Sequence, residues 1–203
     1  MRIITGILVA IGVIGLIVFM LILAGCLLYS LTPSLKDHMD TEVAVSAEDV
    51  ESFDQKLETF EEGVEAAAEA KEAQKMSLLF TEEEVNSKII ELLAEGKLPM
   101  KELIINFNDD LCWVYCVLNN PGISTKIGII AKVEAIDGEI KVRVIDFHLG
   151  RLPLPKSADN WLESLLEVLV AMQNPIEDLP AKLTAIQVQD GSFSFEVTTR
   201  STE

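Results

Sequence analysis

From Ile3 to Leu31 the chain carries no charged residue, and the next charge after Arg2 is Lys36. At about 1.5 Å per residue, a helix of that length exceeds the roughly 30 Å hydrocarbon core of a bilayer. The pattern predicts a membrane anchor over residues 1–35, with the rest of the chain as its cargo. Beyond it, Val50, Phe53, Leu57, Phe60, Val64 and Ala67 recur at alternating spacings of three and four. Such a stripe predicts an amphipathic helix over about 47–75, with Ser46 as N-cap and Asp49 at N3. Its partner would be the following domain or a second copy of the same helix, unless it stands free in solvent.

A change of period marks the domain. Phe80-Thr81-Glu82-Glu83-Glu84 reads as a staple residue, an N-cap and an acidic first turn. Val85, Ile89, Leu92 and Leu93 then form an apolar face that stops at Gly96. Strand patterns follow. Leu103, Ile105 and Phe107 alternate with Ile104, Asn106 and Asn108, and Asn108-Asp109-Asp110 turns the chain into 111–118. That second strand is apolar on both faces and needs cover on both. Ile127 to Ala135 alternate up to Asp137-Gly138, a two-residue hairpin signal, and Ile140, Val142 and Val144 return. The parity slips at Val144-Ile145, which predicts a bulge that bends the strand. After Leu152-Pro153-Leu154-Pro155, a helix capped at Ser157 or Asp159 carries Trp161, Leu162, Leu165, Leu166, Leu169 and Met172. A last hairpin turns at Asp190-Gly191. The expected fold class is α+β: an N-terminal transmembrane helix, an amphipathic acidic helix, then an antiparallel curved sheet of hairpins packed on two helices. The expected units are an anchor (1–35), an acidic helical stalk (36–75) and an extracytoplasmic domain (76–203).

Charge changes this picture in two ways. The formal charge is −17, and residues 36–75 hold 13 acidic against 4 basic side chains. Nucleic acid is excluded as a partner, because phosphate binding needs Lys and Arg clusters. An acidic surface would also be repelled by anionic headgroups, so the domain should not lie flat on the membrane. Arg2 before the apolar run, and no basic cluster after it, place the N-terminus in the cytoplasm and residues 36–203 outside. Leu23-Ala24-Gly25-Cys26 also has the form of a lipobox, with Cys26 as the lipidated residue. Either a cleaved, lipidated Cys26 or an uncleaved helix leaves the domain on the same side.

Candidate chemistry is sparse. His148 lies alone between Phe147 and Leu149, and Asp109-Asp110 reads as turn formers. Cys112 and Cys116 on one strand would sit roughly 13 Å apart, too far for a disulfide, and burial would make both thiols inert. No metal-ligand spacing, phosphate loop or nucleophile elbow occurs in the sequence. The expectation is a non-enzyme without cofactor or metal. What remains is apolar surface: a bent sheet around a helix would leave a groove for a lipid or other long apolar ligand. Each buried methylene adds about 0.8 kcal/mol, so an acyl chain could compete with a bilayer. The expected lining is Leu111, Trp113, Ile129, Val142, Trp161, Leu165 and Phe193. The rival expectation is an interaction module that docks an envelope protein, or pairs with itself through 47–75, without lipid.

The order of pieces resembles a family. Phe80-Thr81-Glu82-Glu83-Glu84-Val85-Asn86 is similar to the opening motif of the YpmS-type membrane-anchored bacterial proteins. Ile136-Asp137-Gly138-Glu139-Ile140, Leu149 to Pro155 and the closing 186–195 hairpin follow in a similar order. More remotely, the plan resembles the tubular lipid-binding (TULIP) proteins, in which a curved sheet winds about a long helix. The resemblance covers about 78–199. It implies a single-pass anchor and a lipid-binding domain, and it carries no catalytic residues.

Overall fold

The computed structural model describes residues 25, 27–29, 31–39, 44–98, 100–118, 125–150 and 180–199. The apolar stretch up to residue 24, Cys26, and the expected helix bearing Trp161 and Leu165 lie outside them. Among the described residues no helix is long and apolar enough to cross a membrane.

The fold is α+β, with two antiparallel sheets. Helix α1 is Ala47–Glu69 and helix α2 is Glu82–Ala94. The strands are β1 (Lys75–Thr81), β2 (Met100–Asn108), β3 (Leu111–Leu118), β4 (Thr125–Ile136), β5 (Glu139–Leu149), β6 (Ala181–Gln189) and β7 (Ser192–Thr199). One sheet runs β1-β7-β6, the other β2-β3-β4-β5. The expected single curved sheet is therefore two. The division arises because β7, after its hairpin with β6, pairs with β1 and not with β2.

Local chemistry explains each boundary. The Ser46 side chain accepts from the Asp49 N–H and starts α1. The helix ends at Glu69, earlier than its stripe suggested, where Lys71 turns left-handed at φ 57°. Gln74 and Thr199 then exchange hydrogen bonds and start β1. Thr81 and Glu84 form a reciprocal capping box at the head of α2. Asp109 and Asp110 both adopt positive φ, as do Asp137 and Gly138, which gives each hairpin a turn matched to strand twist. Opposite Ile130 and Ala131 stand Asp146 and Val144, so Ile145 is the extra residue of a bulge.

The α1 stripe packs on the three-stranded sheet, where Phe60, Val64 and Ala67 are buried. Phe53 stacks on Phe80 at 4.2 Å, and Phe60 meets Phe195 edge-on at 5.2 Å. Val85, Ala135 and Ile140 close the same cluster from α2 and the second sheet. The two sheets are also stitched end to end. The Gly191 N–H donates to Phe107 O (3.0 Å), the Glu82 N–H to Gly191 O (2.9 Å) and the Asp109 N–H to Asp190 Oδ1 (3.0 Å).

Candidate functional site

Strand β3 is apolar on both faces, and the register shows what each face meets. Trp113 lies opposite Ile130 and Tyr115 opposite Gly128, so Leu111, Trp113, Tyr115 and Val117 share one face. Residues 33–39 cover it. Leu35 and Met39 are buried against Tyr115 and Val117, with Trp113, Ile104 and Ile130 around them. The Lys36 ammonium sits 4.2 Å from the centre of the Tyr115 ring and pairs with Glu102 at 2.5 Å. Burial first, and then the charge of Glu102, pushes the Tyr115 hydroxyl up to about 12. Gly128 makes the approach possible, because a Cβ there would lie 2.9 Å from Leu35 Cδ2 and 3.4 Å from Pro33 Cβ.

The opposite face carries Cys112, Val114, Cys116 and Leu118, with Leu103, Ile105 and Phe107 of β2 beside them. Ile127, Ile129, Ala131 and Val133 of β4, then Phe147, Val144 and Val142 of β5, continue it. Its half near the Asp109 turn is packed: Phe107, Cys112 and Val188 form a buried cluster with Val85, Ile105, Val133 and Phe193. Phe107 and Phe193 stack at 5.8 Å. The other half includes Leu103, Val114, Leu118, Ile127, Ile129, Phe147 and Leu149, all half-buried. These seven belong to none of the three buried clusters formed by the described residues.

The expected lining set is therefore not one surface. Leu111 and Trp113 point to the face that residues 33–39 cover, opposite to Ile129 and Val142, because paired strands alternate together. Phe193 stands in the inter-sheet core. Trp161 and Leu165 lie outside the described residues. Val114, Leu118, Ile127 and Phe147 were missed. Their signal was present in the alternation of β3 against β4, once register is known. Three surface depressions among the described residues contain none of the expected residues. One of 280 Å³ lies between β4 and β6 beside Asp110, Lys132 and Glu134, one of 250 Å³ beside Ser77 and Glu196, and one of 480 Å³ against acidic α1.

The titratable groups do structural work. Glu84 is 5% exposed. Burial pushes its pKa up, but hydrogen bonds from Lys56, Ser52 and the Thr81 N–H outweigh that and hold it below the ordinary value. Glu82 accepts from Asn106 Nδ2 and from the Phe107 N–H. Burial pushes the Cys112 thiol up to about 12 and the Cys116 thiol to about 11, and both are free. His148 Nε2 lies 2.9 Å from Asp146 Oδ2, two residues away on the edge strand β5. Among the described residues no group of His, Cys, Asp and Glu could hold a metal ion. Compared with known proteins, the chain matches no family model, and no curated protein is significantly similar to it.

Proposed function

We propose that the chain is a single-pass membrane protein with its N-terminus in the cytoplasm, displaying a non-catalytic domain that binds a lipid or other long apolar ligand outside. The observation that carries the ligand is the half-face of Leu103, Val114, Leu118, Ile127, Ile129, Phe147 and Leu149. It is an apolar set across four strands, with the buried Cys116 at its middle, that joins none of the clusters formed by the described residues. Along β4 from Thr125, opposite Leu118, to Ile129 the patch runs roughly 13 Å at about 3.3 Å per residue, room for part of an acyl chain. Each methylene placed on it removes apolar surface from water at about 0.8 kcal/mol. The anchor supplies the source: residues 3–31 are uncharged and long enough to span a bilayer. The resemblance to YpmS-type proteins agrees with this plan.

Native mass spectrometry of the full-length protein released from lipid nanodiscs tests the reading. Discrete lipid adducts that persist under activation, and are lost in Ile129→Glu, support it. Adduct-free protein, or adducts unchanged in Ile129→Glu, overturns it. A stable complex with another envelope protein, and no lipid, would instead favour the docking module.

A further inference from the structure

The segment between the apolar run and the domain is built into the domain. Residues 27–29 are helical, and the Tyr29 hydroxyl hydrogen-bonds Thr125 Oγ1 at the start of β4. Gly150, at the end of β5 with φ +61°, lies so close that any side chain there would run into the carbonyl oxygens of Leu28 and Tyr29. The Gly150 N–H donates to Lys126 O (2.9 Å), which ties the ends of β4 and β5 together under that contact. Lys126 Nζ donates to Thr32 Oγ1 (3.1 Å). Leu35 then fills the notch left by Gly128, and Lys36 is fixed between Tyr115 and Glu102.

We infer that residues 27–29 and 31–39 form a rigid joint, which seats the domain on the bilayer in one orientation, with the Leu118–Thr125–Gly150 end of the four-stranded sheet against the lipid headgroups. The inference rests on the membrane reading above and adds the face that meets the membrane. Only Thr32 separates the last residue of the apolar run, Leu31, from the docked Pro33, so there is no spacer to let the domain swing. Charge agrees with this pose. The acidic helix α1 packs on the three-stranded sheet, whose contact with β4 and β5 is through Ala135 and Ile140 at the far end. Lys101 and Lys126 lie at the near end, beside the Lys36–Glu102 pair and Asp37. The pose also turns the half of the apolar face that starts at Leu118 and Leu149 towards the bilayer.

The test uses full-length Cys26→Ser protein in nanodiscs of phosphatidylcholine and phosphatidylglycerol that contain a headgroup-nitroxide lipid. A thiol-reactive fluorophore is placed at Lys101→Cys or at Glu139→Cys, both exposed. Cys112 and Cys116 stay unlabelled because they are buried. The two sites stand at opposite ends of the sheet, separated by roughly 35 Å at about 3.3 Å per residue. Quenching at Lys101→Cys and none at Glu139→Cys is the expected result. Gly128→Val, which pushes Leu35 out of its notch, should abolish the difference, and Leu35→Ser should reduce it. Equal quenching at both sites, or none at either in protein that resists carbonate extraction, overturns the joint and leaves the anchor standing. Protein that carbonate strips from the membrane overturns the anchor and the joint together.

Discussion

Asn86 and Ile105 exchange two hydrogen bonds: Asn86 Nδ2 donates to Ile105 O at 2.7 Å, and the Ile105 N–H donates to Asn86 Oδ1 at 3.0 Å. A side-chain amide on α2 thereby takes the place of a neighbouring strand along the outer edge of β2. Two residues on, the Phe107 N–H donates to Glu82. The helix thus covers an edge that would otherwise present unpaired backbone groups to other chains. The motif Thr81-Glu82-Glu83-Glu84-Val85-Asn86 is in this light a structural device: Thr81 and Glu84 cap the helix, Glu82 and Asn86 clamp the edge.

Replacing Asn86 by Leu removes both bonds and leaves the half-buried Ile105 N–H without its acceptor. The expected cost is about 1–3 kcal/mol, the penalty of an unsatisfied buried donor. Urea unfolding of the detergent-solubilised full-length protein should show it as a lower midpoint with an unchanged slope. A midpoint equal to wild type would mean that the clamp contributes nothing.

Glu84 predicts a pH dependence. Its folded pKa is depressed, because hydrogen bonds from Lys56, Ser52 and the Thr81 N–H outweigh the opposing effect of burial. A depressed carboxylate stabilises the fold above its unfolded pKa of about 4.3, and that stability is lost as pH falls through the folded value. Glu84→Gln should therefore unfold more easily than wild type at pH 7, with the gap closing as the pH drops below about 4. A gap that stays constant with pH would contradict the assignment. Lys56→Met, which leaves Glu84 charged and without its 2.6 Å partner, should cost about 1–3 kcal/mol at pH 7.

The acidic helix tests a different point. Because Phe60, Val64 and Ala67 are buried in the molecule's own core, Phe60→Ala should cost about 3–5 kcal/mol, the usual cost of truncating a buried Phe. Leu57→Asp should lower stability and leave the mass in analytical ultracentrifugation unchanged. A dimer that becomes a monomer in Leu57→Asp would show that the stripe pairs with a second copy.

The thiols give a fourth check. Cys112 and Cys116 are buried, with pKa values pushed to about 12 and 11. In Cys26→Ser protein at pH 8, a thiol reagent such as Ellman's should react only as fast as the domain unfolds. Prompt release of one or two equivalents would contradict the packed strand.

Much of this architecture was legible because it is local. Ser46 and Thr81 announce their helices, Asp137-Gly138 and Asp190-Gly191 announce their turns, and the slipped parity at Ile145 announces the bulge. What failed is what depends on partners distant in sequence. Strand β1 has no counterpart in the sequence reading, which gives Phe80 and Thr81 only a staple and a cap, since Leu79 beside Leu78 breaks the alternation of Met76, Leu78 and Phe80. The division into two sheets depends on β7 choosing β1, which no local signal encodes. Residues 33–39 fall across the expected boundary between anchor and stalk, with no docking role assigned. The one hint of their docking was Gly128, a glycine inside an otherwise apolar strand, where close approach of another segment is a standing reason for the missing side chain. The lining set failed for the same cause: Leu111 and Trp113 were grouped with Ile129 and Val142 without knowledge of which residues of β3 and β4 stand opposite each other.

The most direct measurement uses a phospholipid with a photoreactive diazirine in its acyl chain, irradiated with the full-length protein in nanodiscs and mapped by peptide mass spectrometry. The account predicts adducts on residues 3–31 and, in the domain, on Leu118, Ile127, Ile129 and Phe147. Adducts confined to residues 3–31, or in the domain only on Trp113 and Tyr115 of the opposite face, would contradict it.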